Sequence, residues 1–148
     1  MKTKILSALL FVGLLVSGCA WLKPITPVPV AAGQDPVIVN LERVQASSLE
    51  FYKQATEWEY ANRNALPAEV SRAVDKVRAE FPKAWEESRR ILADYKQGKV
   101  SGNDVSSVTA ALSAAQSSLI RLKVDNSEAF QLVNDIATLT RLINSLRK

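Results

Sequence analysis

Four apolar stripes at helical spacing, each bounded by a start or stop signal, constrain this chain more than any other feature. Asp35-Pro36 reads as an N-cap followed by proline at the first helical position. Leu41, Val44, Phe51, Ala55 and Trp58 then recur at helical spacing, with Ser48 in the gap and Tyr52 and Tyr60 flanking the face. This first helix is expected to run to about Ala65, where Leu66-Pro67 interrupts it. A second stripe, Val70, Val74, Val77, Phe81, Ala84, Ser88, Leu92 and Tyr95, spans Pro67 to Lys96. Its phase passes through Pro82 unchanged, which predicts a kink, with a break into two helices as the alternative.

Gly98 to Asn103 reads as a turn, and Ser101-x-x-Asp104 as a capping box that opens a third helix. Val105, Val108, Leu112, Ala115, Leu119 and Leu122 form its stripe, while its other faces carry Ser and Ala. Asp125-Asn126-Ser127 predicts a tight turn, because a continuous helix would place the Asn126 amide on the apolar stripe. Asp125 or Asn126 is then expected to cap a last helix carrying Leu132, Ile136, Leu139, Ile143 and Leu146. Each helix is too apolar on one face to stand alone. The expected fold is all-α: a small antiparallel bundle of about four helices over residues 37–148.

The segment before the bundle is of another kind. Lys2 and Lys4 precede an apolar run of 12 residues, Ile5 to Val16, followed by Ser17, Gly18 and Cys19. A positive start, a short apolar core and a small-residue exit describe a secretory signal. The run is shorter than the roughly 20 residues that a membrane-spanning helix needs. Residues 1–18 are therefore read as a cleaved signal peptide. Pro24, Pro27, Pro29 and Pro36 then make residues 19–36 an extended spacer. At about 3.1 Å per residue, such a segment holds a body as far as roughly 50 Å from its point of attachment. Removing the signal takes away two lysines and no acids, so the formal charge falls from +4 to +2.

Val16-Ser17-Gly18-Cys19 resembles the lipobox of bacterial lipoproteins, with Val at the first position where Leu is commoner. The resemblance implies cleavage between Gly18 and Cys19, and a diacylglycerol on the Cys19 sulfur, often with a third acyl chain such as palmitate on its amine. Two or three acyl chains anchor a protein almost permanently, whereas one binds only marginally. Ala20 after the cysteine implies, by analogy with Gram-negative lipoproteins, the outer membrane with the body facing the periplasm. Trp21 suits the headgroup region beside such an anchor.

Composition excludes several chemistries. The chain has no His and one Cys, so nucleophile–His pairs, a Cys-based zinc cluster and internal disulfides are ruled out. No Gly-rich phosphate loop is present. Glu69, Glu80, Glu86 and Glu87 are the candidates for a carboxylate-based glycan hydrolase acting on peptidoglycan. Glu86 and Glu87 are helix neighbours that do not face the same way, and Glu86 is better placed as an i,i+4 partner of Arg90, as is Lys76 of Glu80. Enzyme activity, a cofactor and a metal are not expected. Basic and acidic residues alternate along the second helix, which describes a solvated face and not a nucleic-acid stripe.

Partner binding is the expected activity. Trp58-Glu59-Tyr60-Ala61-Asn62-Arg63 is the densest group of interaction-capable side chains, and Trp58, Tyr60, Arg63 and Trp85 are the candidate contact residues. The competing reading puts Trp58 in the core, leaves Tyr60 half-buried and pairs Glu59 with Arg63 at i,i+4. Asp35-Pro36-Val37, Trp58-Glu59-Tyr60, Asn62-Arg63, Leu66-Pro67, Phe81-Pro82 and Tyr95-Lys96 give the body a resemblance to small helical phage and prophage proteins. That resemblance implies a phage–host setting and no site residues. Arg147-Lys148 resembles the ending of the abundant outer-membrane lipoprotein whose terminal lysine is joined to peptidoglycan, which makes Lys148 a candidate attachment point. Self-association into a homo-oligomer is a further expectation of four amphipathic helices.

Overall fold

Asp35 starts the first helix as its sequence predicts: the carboxylate accepts a hydrogen bond from the Val37 N–H at 2.8 Å, and Pro36 occupies the first turn. In this computed structural model, which describes residues 29–147, four helices follow in order. They are α1 (Pro36–Asn62), α2 (Ala68–Lys96), α3 (Gly102–Arg121) and α4 (Glu128–Leu146), and no strand occurs among the described residues. The signal segment 1–18, Cys19, the spacer up to residue 28 and Lys148 lie outside the described residues.

The turns use the expected chemistry with small shifts. Helix α1 stops at Asn62, one turn short of Ala65, and the side-chain amide of Asn62 folds back to donate to the Trp58 carbonyl. Helix α2 runs through Pro82 without a break, so the two-helix alternative is wrong. Gly98 takes a left-handed conformation (φ 72°) that ends α2. Ser101 and Asp104 form the reciprocal capping box. Before α4, the Asp125 carboxylate accepts from the Ser127 N–H at 2.9 Å, while Ser127 itself makes no capping bond.

Consecutive helices run in opposite directions, yet the order around the bundle is α1, α3, α4, α2. Val37 lies beside Gly102 and Ser47 meets Gln116, 65 and 69 positions apart, so α1 lies parallel to α3; Val77 shares a depression with Ile136 and Glu87 pairs with Arg147, 59 and 60 positions apart, so α2 lies parallel to α4. Helices α1 and α4 sit on opposite corners and make no close backbone approach. The link from α2 to α3 crosses the diagonal.

The buried faces of α2, α3 and α4 match the predicted stripes, with Ala73, Ile91, Gln116, Ser118 and Ala129 added and Tyr95 and Leu146 only half-buried. Burying each large member such as Phe81, Leu112 or Leu139 contributes about 1.5–3 kcal/mol. Helix α1 is rotated from expectation. Its fully buried positions are Leu41, Gln45, Ser48, Ala55 and Glu59, whereas Val44, Phe51 and Trp58 are half-buried. Tyr52 belongs to that true inner face and stacks on Phe81, ring centroids 4.7 Å apart.

The buried polar side chains have partners, the Ser71 hydroxyl excepted. Gln45 Nε2 donates to Ser88 Oγ at 3.0 Å, and Ser88 Oγ donates to the Trp85 carbonyl at 2.6 Å. Trp85 Nε1 donates to the Gln45 carbonyl at 2.8 Å, closing a polar seam between α1 and α2. A burial of amides and hydroxyls is tolerated only when they are bonded in this way.

Candidate functional site

The entry of the chain at Asp35 marks one end of the bundle; the α1–α2 and α3–α4 turns mark the other. Helix α1 has 27 residues, so the two ends are about 40 Å apart. Among the described residues, the large apolar side chains that stand out into solvent are Tyr60 at 75%, Val124 at 78% and Phe130 at 48% exposure. Tyr60 lies in the last turn of α1, Val124 in the α3–α4 turn and Phe130 in the first turn of α4. All three therefore sit at the end opposite Asp35. Tyr60 is one of the candidate contact residues of the sequence, and the competing reading of it as half-buried is wrong; Val124 and Phe130 were not among the candidates. The signal for both was an apolar residue off the α3 and α4 stripes.

Beneath this end lies a charged cluster. Glu59 is fully buried, and its carboxylate accepts from Arg63 Nε at 3.0 Å and from Arg78 Nη2 at 2.6 Å. Asp75 pairs with both guanidiniums, with Arg78 at 2.9 Å and with Arg63. Arg78 also donates to the Thr56 carbonyl, tying α2 to the backbone of α1. Hydrogen bonds from Arg63 and then Arg78 hold the Asp75 carboxyl below its ordinary value of 3.8. The expected Glu59–Arg63 pair is present, but it is one edge of a four-residue network that clamps the hairpin tip.

The four residues proposed for partner contact thus separate. Trp58 packs against the core, Arg63 is held by Glu59 and Asp75, and Tyr60 is free to meet a partner. Trp85 bonds Gln45, thirteen positions and about 20 Å along α1 from Trp58, and Arg89 lies over its ring at 5.3 Å. It does not join the distal group.

The carboxylates weighed for hydrolysis are strung along α2 and mostly paired. Glu80 meets Lys83 at 3.5 Å in place of the expected Lys76, and Glu86 meets Arg89 at 3.4 Å in place of Arg90. Arg90 instead pairs with Glu87, which also holds Arg147 at 2.6 Å. The steps of three reflect the reach of arginine and lysine side chains back along the helix. Among the described residues no group of three or more acidic or Cys side chains is arranged to hold a metal. No helix among them is long and apolar enough to cross a membrane.

The seam between the parallel helices α2 and α4 opens outward as a cavity of about 240 Å³. Val77, Val133, Ile136 and Ala137 line its floor, with Lys76, Glu80 and Arg141 at the rim. A shallower depression continues it to Phe130 at the distal end. No family model, curated protein or solved structure matches this chain.

Proposed function

We propose that this is a lipid-anchored, non-enzymatic helical protein of the bacterial envelope, which acts by binding a partner protein with the distal end of its bundle. The observation that carries this reading is the placement of Tyr60, Val124 and Phe130. Exposed apolar side chains gathered at one end, away from the point where the spacer enters, suit an interaction surface. The lipobox-like Val16-Ser17-Gly18-Cys19 supplies the anchor, and Pro24, Pro27 and Pro29 hold the body clear of the bilayer. In a Gram-negative host the distal end then faces the periplasm from the outer membrane.

The test is the intact mass and the fractionation of the wild-type chain beside Cys19→Ser. The expected wild-type species is residues 19–148 plus two or three acyl chains, recovered with membranes. Cys19→Ser should lose this mature lipidated species with its helical circular dichroism intact. An unlipidated wild-type N-terminus at another residue sinks the anchored reading.

A further inference from the structure

Three depressions follow one another along the α2–α4 seam, from Phe130 at the distal end to Ile143 near the end of α4. Lys76 and Val133 line both the first and the second, and Glu80 and Thr140 both the second and the third. They form one groove with an apolar floor. A groove between two helices that run the same way is the seat into which an added amphipathic helix lays its apolar face.

The charge around the groove selects what that helix carries on its flanks. Glu80 is held by Lys83, and Glu87 by Arg90 and Arg147, so these carboxylates are already neutralised. Arg72, Lys76 and Arg141 are exposed and enter no ion pair among the described residues. Arg141 bonds only the Ala137 carbonyl and the Thr138 hydroxyl, and both leave its positive charge uncompensated. Against these three cations stands one carboxylate outside any ion pair, Glu69, at the distal mouth. The rim is basic on both walls, Lys76 on α2 and Arg141 on α4.

We infer that the α2–α4 groove docks an acidic amphipathic helix of the partner protein. Its apolar face lies on Val77, Val133 and Ile136, and its carboxylates meet Lys76 and Arg141. A second copy of this chain, set groove to groove, brings those cations toward their own twins, and like charges across an interface oppose association. This inference deepens the partner-binding reading and rests on it.

Photocrosslinking in cells tests the groove, with benzoylphenylalanine placed at Phe130 or Ala137 of the full-length chain and adducts mapped by mass spectrometry. The expected adduct lies on a helical segment of another protein with acidic residues flanking its apolar face. Lys76→Glu with Arg141→Glu should cut the adduct yield about tenfold or more, because each like-charge approach costs several kcal/mol. A thermal melt of the double variant, matching wild type, shows that the loss is not unfolding. Adducts on a basic or neutral segment, on a second copy or on lipid alone overturn the inference, as does no adduct at either position. Membrane retention is scored in the same cells, so failure of the anchor and failure of the groove are told apart.

Discussion

The Glu59 carboxylate, with no solvent exposure, accepts a hydrogen bond from Arg78 at 2.6 Å and thereby joins the last turns of α1 to the first turns of α2. Removing one partner of a buried ion pair is costly because the other charge stays behind, whereas replacing both with apolar groups is often near neutral. Arg78→Met should therefore destabilise the fold by about 3 kcal/mol, while Glu59→Leu with Arg78→Met recovers most of that loss. Urea unfolding of the two variants measures the difference. Equal stability of the single variant and wild type would show that water reaches Glu59 and the clamp is unimportant.

Ser88 looks dispensable by size, but its hydroxyl is the acceptor for the buried Gln45 amide at 3.0 Å. Ser88→Ala leaves that donor without a partner, which costs about 1–3 kcal/mol. Ser117→Ala, at an exposed position of α3, should change stability by less than about 0.5 kcal/mol. Chemical denaturation of both distinguishes a polar seam that matters from one that merely fills space.

Acid should weaken the fold through several carboxylates together. Asp35 is held below 3.8 by hydrogen bonds from Tyr95 and Val37, Asp75 by Arg63 and Arg78, Asp104 by Ser101 and Asp125 by Ser127. A lowered folded-state value means that the unfolded chain takes up protons first, so the stabilisation present above 3.8 is lost as the pH falls below it. Burial raises Tyr52 above 10.0, and the bond to Asp35 raises Tyr95. Their contribution is complete below pH 10 and is lost as the pH rises beyond it. Melting temperature against pH should form a plateau with shoulders at about 4 and 10, and Asp35→Asn with Asp104→Asn should flatten the acid shoulder. An acid limb unchanged in the double variant contradicts the assignment.

Tyr60 and Trp58 should behave oppositely despite lying two positions apart. Tyr60→Ser exposes nothing and should leave stability within about 0.5 kcal/mol of wild type, while weakening partner capture. Trp58→Ser removes a ring packed against the core and should cost about 3 kcal/mol or more. Melting curves alongside co-purification with the crosslinked partner separate the two effects. Full capture by Tyr60→Ser with Val124→Ser removes the distal end from the interface.

Helix starts and stops were legible because they are local. Asp35-Pro36, Ser101 with Asp104, and Asp125 each satisfy backbone groups within three residues, so the residue types at those spacings already specify the geometry. The stripes of α3 and α4 were legible because every buried position on them is apolar except Gln116 and Ser118. Helix α1 was misread by one position because two of its inner residues, Gln45 and Glu59, are polar. An apolar count passes over them to Val44 and Trp58, while the partners that make their burial tolerable lie on α2. The order around the bundle was not legible either. An amphipathic stripe states that a face is buried and carries no label for the neighbour that buries it. The α2–α4 groove and its basic rim depend on that order, so they emerged only with the fold.

The diagonal link from α2 to α3 has a consequence for how the chain assembles. Contacts such as Ser47 with Gln116, 69 positions apart, and Glu87 with Arg147, 60 apart, join the first hairpin to the second. Neither hairpin can complete its apolar face from its own two helices, so each must wait for the other. Loop closure over such separations slows helical proteins relative to simple up-and-down bundles, whose neighbours are adjacent in sequence. The link itself, residues 97–101, crosses that diagonal in five residues. Cutting it should leave two halves that are weakly ordered apart and regain their helices when mixed, with a rate that rises with concentration.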